Sequence, residues 1–458
     1  MSLFRTKAIG DCNADTGLRR ALGALDLTFL GIGAIIGAGI FVLTGIAAAT
    51  KAGPAIVLSY CVAGGVCALA ALSYAELAAA VGGAGSAYGY AYAGLGEIVA
   101  WIIGWALMLE YGIAVSAVAI GWSGYFANGM QAIGLPIPFE YANAPYLGGI
   151  INLPAIGIIL LLAALLCQGV SASKWVNTTA VLIKLAVVVL FIFVAFGHVN
   201  TQNWEPFMPY GFGGVMGGAA LIFFAYIGFD AVSTAAEEAR NPQRDLPIGI
   251  IASLVVCTLL YVLVAGLLTG IAHYSTLNNP SPVAQAMLDL GFNKFAGVVA
   301  FGAIAGLTTV MLVVFYGQTR ILLAMSRDGL IPAAFAHINP KTRTPVRVIV
   351  TSGAILATIA GFAPINVVAE MANIGTLAAF VAVCIGVIVL RYKRPDLHRP
   401  FKTPLMPVLP IVGVAGCIWL MVNLEARTWV YFVIWMTIGL LIYFGYSMRS
   451  SALARQAG

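Results

Sequence analysis

The chain has 458 residues, 61% of them hydrophobic and only 9% charged, with a formal net charge of +6 and a mean hydropathy of +0.98. No single water-soluble core hides that much apolar surface, so the composition excludes an ordinary soluble globular domain and makes lipid the solvent. A hydrocarbon core of roughly 30 Å takes about 20 apolar residues per helical crossing, and runs of that length separated by short polar breaks recur about twelve times.

The first residues, with Arg5, Lys7, Asp11, Asp15, Arg19 and Arg20, are polar. They lack an apolar stretch ending in a small-residue cleavage site, so residues 1–24 read as a tail and the first span as its own insertion signal. The expected spans are 25–49, 54–80, 97–128, 151–171, 176–196 and 214–236, then 246–271, 295–324, 346–362, 365–390, 405–424 and 429–448. This is an all-α integral membrane pattern, and an even count of spans puts both termini on one side.

Placing the N-terminus in the cytoplasm leaves only Lys51, Lys294 and Arg427 outside, with Lys174, Arg240, Arg244, Arg320, Arg327, Lys341, Arg391, Arg399 and the other basic residues inside. That asymmetry is the one expected of retained basic loops in a plasma membrane protein, and it accounts for the net charge without a nucleic-acid partner. The seven cysteines show no paired spacing and read mostly as buried free thiols, while His198, His273, His337 and His398 lie scattered at segment ends. Neither set offers metal-ligand spacing, and no cofactor is expected.

Two glycine-bearing spans occupy matching places in the two halves: Gly31 to Phe41 in the first and Phe223 to Asp230 in the sixth. Paired interruptions of this kind point to an inverted-repeat transporter with its site at the bilayer midplane. The repeats would cover 25–198 and 199–391, leaving two added helices in 392–448 and a cytoplasmic tail in 449–458.

Four glycines at 31, 33, 37 and 39 weaken a helix by roughly 1 kcal/mol each relative to Ala. Close helix packing through small residues is one reading. The other is an unwound stretch whose amides at Gly37, Ala38 and Gly39 face an anionic group such as a carboxylate. In the sixth span, carbonyls around Phe224, Ala225 and Ile227 can accept hydrogen bonds from an ammonium group, and no side chain of that segment is placed to meet it as a charge. Backbone recognition of a zwitterion results. Phe224 and Phe229 suit an apolar lid or gate over such a ligand, or ordinary packing. Asp230, Glu237 and Glu238 approach the cytoplasmic end, where solvation or pairing with Arg240 or Arg244 is expected.

Two ionisable residues lie deep in apolar runs. Lys184 is too deep to snorkel easily and should face the bundle interior, either as a proton-exchanging group or as a strut bonded to carbonyls of the broken first span. Glu110 can line the substrate cavity, contact a basic ligand side chain, relay protons, or hydrogen-bond between helices. Glu76, Glu97 and Glu370 lie nearer span ends, where water is expected to reach them.

At these residues the sequence resembles the amino acid-polyamine-organocation superfamily, and within it the bacterial relatives of the cationic amino acid transporters. Besides the two glycine-bearing stretches, the carriers are residues 237–247, which read EEARNPQRDLP, and 320–330, which read RILLAMSRDGL. The resemblance implies a LeuT-like arrangement of five plus five inverted repeats and two added helices. It implies that a substrate carboxylate meets the amides of Gly37, Ala38 and Gly39, and its amine the carbonyls of Ile35, Ile36, Phe224 and Ile227. Phe224 stands where similar transporters place an aromatic residue over the ligand. Lys184 matches a fifth-helix lysine that takes the place of a sodium ion in proton-coupled members, so the coupling ion would be H+. The eighth span should line the side-chain pocket, where Thr308, Thr309, Met311 and Val314 offer bulk and few charges; small neutral amino acids fit there at least as well as arginine or lysine.

The expected function is therefore proton-coupled L-amino acid uptake by alternating access, with a proton-independent exchanger as the nearest alternative and a channel or membrane sensor as a more distant one. The partners are the amino acid and the bilayer. A small single-span helix or a sterol-like lipid docked outside the bundle stays open.

Overall fold

The computed structural model of the chain describes residues 4–7, 22–81, 86–169, 174–235 and 239–456. Among the described residues the secondary structure is helical, apart from an isolated backbone bridge between Leu22 and Ala239. Eight helices are long and apolar enough to cross a membrane, and four shorter apolar helices accompany them. Helices that are hydrophobic all round have this character because no face is left for water.

In chain order the helices that matter here are α1 (Ala24–Ile35), α2 (Thr44–Ala47, flanked by π-helical turns Gly39–Leu43 and Ala48–Ala52), α3 (Ile56–Val81), α4 (Ser86–Gly94) and α5 (Glu97–Ala132). There follow α6 (Leu153–Cys167), α7 (Lys174–Phe196), α8 (Gly211–Ile222), α9 (Ala231–Thr234) and α10 (Pro242–Ile271). The rest are α11 (Pro282–Asp289), α12 (Asn293–Arg327), α13 (Val346–Phe362), α14 (Ile365–Lys393), α15 (Val408–Val422) and α16 (Ala426–Ile442). Helix thus occupies each expected span, and α4 and α11 are additions that the search for long apolar runs passed over because both are short. The first and sixth spans are each interrupted: α1 stops at Ile35, where Ile36 turns extended, and α8 runs into a 3-10 turn, Phe223–Tyr226.

The packing carries these interruptions to the middle of the molecule. α1 lies on α7 and α10, α3 on α8 and α10, and the long α5 on α12 and α14. At one end of the broken spans the Arg240 amide donates to the Leu22 carbonyl at 2.8 Å, joining the chain before α1 to the chain after α9.

Three glutamates expected to meet water are instead buried. Glu76, 1% exposed, receives Arg391 through Nε at 2.8 Å and a terminal nitrogen at 2.7 Å, the Thr403 amide at 2.7 Å, and Arg399 at 3.4 Å. Glu97 accepts hydrogen bonds from Ser451, Tyr92 and Tyr443, and Glu370 accepts one from Thr428 at 2.6 Å. Apart from Tyr92 of α4, their partners come from the last quarter of the chain, which folds back over the ends of α3, α5 and α14. Satisfied carboxyls of this kind tolerate burial that a lone one does not.

Two of the three basic residues assigned to the outer face converge, since Glu425 meets Arg427 at 2.6 Å and Lys51 at 3.3 Å. The cysteines at 61, 67, 167, 257, 384 and 417 are free; Cys61 is exposed and Cys167 half-buried rather than buried.

Candidate functional site

A helix that stops inside a membrane protein strands its last carbonyls, and the next one strands its first amides, because neither has an intrahelical partner. Both interruptions pose this problem, and side chains from other helices answer it. At the end of α1 the Lys184 ammonium, on α7 and fully buried, donates to the Gly33 carbonyl at 2.8 Å. The favourable placement of a cation at a helix C-terminus adds to that bond. Lys184 reaches its acceptor past Gly306 of α12, where a Cβ would lie 2.9 Å from its Cγ. At the end of α8 the Asn373 amide, on α14, donates to the carbonyls of Ala220 at 2.7 Å and Leu221 at 3.0 Å.

One residue serves both breaks. The Tyr261 hydroxyl on α10 lies 2.9 Å from the Ile35 carbonyl and 2.8 Å from the Ala225 carbonyl. The two unwound segments also touch directly: a Cβ at Gly39 would meet Ala225 Cα at 2.3 Å. Gly228, at φ +116°, takes a left-handed conformation, and a Cβ there would sit 2.9 Å from the Ala34 carbonyl. These two glycines are needed for close backbone approach, the packing reading of the glycine cluster, while unwinding holds as well. The Gly39 carbonyl accepts from Thr44 at 3.0 Å and Tyr60 at 3.4 Å, and the Phe41 carbonyl from Tyr125 at 2.8 Å.

The structure therefore brings Gly39 directly against Ala225, and the Ile35 carbonyl to the same Tyr261 hydroxyl as the Ala225 carbonyl. Ile36, Gly37, Ala38, Gly39, Phe224, Ala225 and Ile227 are all buried. The carbonyls of Ile35 and Ala225, expected to await an ammonium group, both lie within reach of Tyr261 and share its single hydroxyl hydrogen. From α12, Val310 packs 3.4 Å from where a Gly37 Cβ would lie, the adjacent Met311 and, one turn on, Val314 are buried, and Thr308 accepts from the Trp122 indole at 3.0 Å. Phe229 packs in an aromatic cluster with Tyr74 and Phe380, its ring centroid 5.7 Å and 5.0 Å from theirs.

Asp230 departs from expectation. It is 1% exposed rather than solvated, and it accepts from the Tyr111 hydroxyl of α5 at 2.6 Å. Its sequence position near a span end suggested water, but α9 is only one turn long and tucks the carboxyl against α5. Glu237 and Glu238 lie outside the described residues. Glu110 is fully buried on α5, and its two carboxyl oxygens are assigned no hydrogen-bond partner among the described residues. Thr376 stands alongside, but its hydroxyl donates to the Ala372 carbonyl at 3.0 Å.

Sequence reasoning missed Tyr261, Asn373 and Tyr111, each a polar group in an apolar run, which is the signal that could have flagged them. The arrangement is chemically specific in one respect. It gathers main-chain donors and acceptors of two interrupted helices, with side chains of other helices meeting several of the stranded carbonyls.

Comparison with known proteins agrees with this geometry. Residues 22–446 match the family model described as amino acid permease. The chain is 49% identical to the methylthioribose transporter of Bacillus subtilis (strain 168), over 99% of each chain. It is 50% identical to the branched-chain amino acid permease BcaP of the same organism, again over 99% of each chain. It is 39% identical to the vacuolar cationic amino acid transporter 4 of Arabidopsis thaliana, over 83% of this chain and 64% of that one. The membrane-spanning helices, the paired interruptions and these matches together place the chain in the amino acid permease family of the amino acid-polyamine-organocation superfamily, as a multi-pass cell membrane protein.

Proposed function

We infer that the chain is a secondary active transporter that takes up amino acids with protons by alternating access around a midplane site between the two breaks. The observation that carries this reading is the meeting of two interrupted helices whose stranded backbone groups are held by Lys184, Asn373 and Tyr261. The substrate carboxylate faces the amides of Gly37, Ala38 and Gly39. Its ammonium faces the carbonyls of Ile35, Ile36, Phe224 and Ile227 that retain a free lone pair, and Phe224 closes over it, with Phe229 on the gate side. Lys184 holds the first break while protonated and loosens it on deprotonation, so proton and substrate drive the cycle through their differential affinity for the two states.

The inverted-repeat organisation, 25–198 against 199–391 in a LeuT-like arrangement with two added helices, is supported by the caps themselves: the fifth span caps the first, and the tenth caps the sixth. Both termini face the cytoplasm on the strength of the basic-residue asymmetry. Met311 and Val314 suit an aliphatic side chain better than a guanidinium, in keeping with the relative named a branched-chain amino acid permease.

A second reading rests on the relative named a methylthioribose transporter. A thioether sugar carries neither ammonium nor carboxylate, so it would leave the amide and carbonyl pairing unused. Thermal stabilisation of the purified protein decides between them, because a ligand raises the melting temperature by mass action. Leucine, isoleucine or valine is expected to stabilise it; stabilisation by methylthioribose and by no amino acid would overturn the zwitterion site. Lys184→Ala is expected to abolish gradient-driven accumulation in liposomes while the protein still inserts, and unchanged accumulation would remove the proton role.

A further inference from the structure

A groove of about 760 Å³ runs along one side of α10, and none of its lining residues belongs to the site between the breaks. The lining recurs in adjacent pairs every four residues, from Gln243 and Arg244 at the start of the helix to Val255 and Val256, a spacing that keeps the pairs on one side. Pro400 and Phe401, in the chain between α14 and α15, form a second wall. Polarity is confined to one end. Gln243 and Arg244 are exposed, and every lining residue beyond them is apolar, with Ile248 41% and Val255 52% exposed.

Arg244 forms no ion pair among the described residues. The acid beside it is engaged elsewhere, since Asp245 is 7% exposed and accepts from the Asn241 amide at 3.2 Å. On the second wall Arg399 is spent on Glu76, whereas Lys402, one residue past Phe401, is exposed. A guanidinium at the head of an apolar groove matches an anionic headgroup joined to a hydrocarbon chain, because phosphate oxygens take guanidinium hydrogens in pairs. The length agrees. From 243 to 256, at about 1.5 Å per residue, the groove extends about 20 Å, and one leaflet offers roughly 15 Å of hydrocarbon beneath its headgroups. A spanning partner helix needs the full thickness, but the groove ends halfway along α10. A sterol hydroxyl would leave the guanidinium without an anion, and a choline headgroup would bring a further cation to the same end.

We propose that this groove binds one anionic phospholipid, with its phosphate on Arg244 and an acyl chain along Ile248, Ile251 and Val255. The site needs neither substrate nor proton, so it stands apart from the transport reading. An adjoining face of α10 bears on α1: a Cβ on Gly249 would meet Leu27 Cβ at 2.8 Å, and one on Gly31 would meet the Ser253 side chain. The same helix carries Tyr261 to both breaks. A lipid that binds only the folded protein stabilises it by mass action, and here it does so at the helix on which both breaks depend.

The test is titration of the full chain, purified in detergent, with phosphatidylglycerol or with phosphatidylcholine of the same acyl chains, bound lipids being counted by native mass spectrometry. The wild type is expected to prefer phosphatidylglycerol. Arg244→Ala is expected to lower that preference about fivefold, the worth of one cation near a headgroup, while Arg244→Lys keeps most of it. Lys341→Ala removes an equal charge from an exposed loop outside the groove and is expected to leave the preference unchanged. Ile251→Trp fills the apolar stretch and is expected to remove one bound lipid of either kind, a readout independent of the Arg244 variants. A wild type without preference, equal effects of Arg244→Ala and Lys341→Ala, or an Ile251→Trp variant that binds as many lipids as the wild type would overturn the proposal. So would cholesterol held more tightly than phosphatidylglycerol, which would give the groove to a sterol.

Discussion

The two broken spans are capped at equivalent places by different chemistry. Where α1 ends, the donor is the Lys184 ammonium; where α8 ends, it is the Asn373 amide. Either satisfies stranded carbonyls, and a neutral amide does so without the cost of burying a charge. A lysine at the first break is therefore more than the backbone requires. In the proposed transport cycle it would make the first break depend on a proton, whereas the Asn373 cap of the sixth has no titratable group. On that proposed cycle the first break switches and the sixth supports.

Substitutions test that division, beginning with the largest effect. Gly39→Val drives a side chain into Ala225 and forces the two breaks apart. Substrate binding is expected to vanish by scintillation proximity, and near-normal affinity would mean that the breaks need not touch. Tyr261→Phe removes the hydroxyl that both breaks share without altering either cap. Affinity is expected to fall about tenfold, about 1.4 kcal/mol, and in either proton-gradient condition alike; an effect confined to the gradient-driven assay would show that Tyr261 belongs with Lys184. Asn373→Ala strands the Ala220 and Leu221 carbonyls and is expected to cost about 1–3 kcal/mol of stability, read as a lower melting temperature. Its counterflow and gradient-driven uptake should decline together. A selective loss of the latter would contradict a purely supporting sixth break.

Much of this was legible in the sequence because it is local. Glycines at 31, 33, 37 and 39 and the stretch from Phe223 to Asp230 marked both interruptions, and Lys184 stood out as a charge in an apolar run. What escaped was pairing across the fold. Nothing local distinguishes Glu76, whose partners Arg391 and Arg399 lie more than three hundred positions away, from a glutamate in a wet loop. Asp230 read as a surface acid for the same reason, since its burial depends on how a one-turn helix docks on α5. Tyr261 was passed over because a tyrosine among Leu, Val and Cys reads as packing until its hydroxyl is seen to meet two carbonyls. The glycine cluster also turned out to satisfy both of its readings: the chain unwinds at 36–37, and Gly39 packs without a side chain against Ala225.

The bridge between Leu22 and Ala239 bears on how such a molecule evolves. The Arg240 amide and the Leu22 carbonyl are common to nearly every residue type, so the tether between the chain before α1 and the chain after α9 survives almost any exchange of side chains; only proline at 240, lacking the amide hydrogen, would untie it. Sequences can drift at this seam while the backbone bond between the two segments is kept, and divergence there carries little information about whether a distant relative still works.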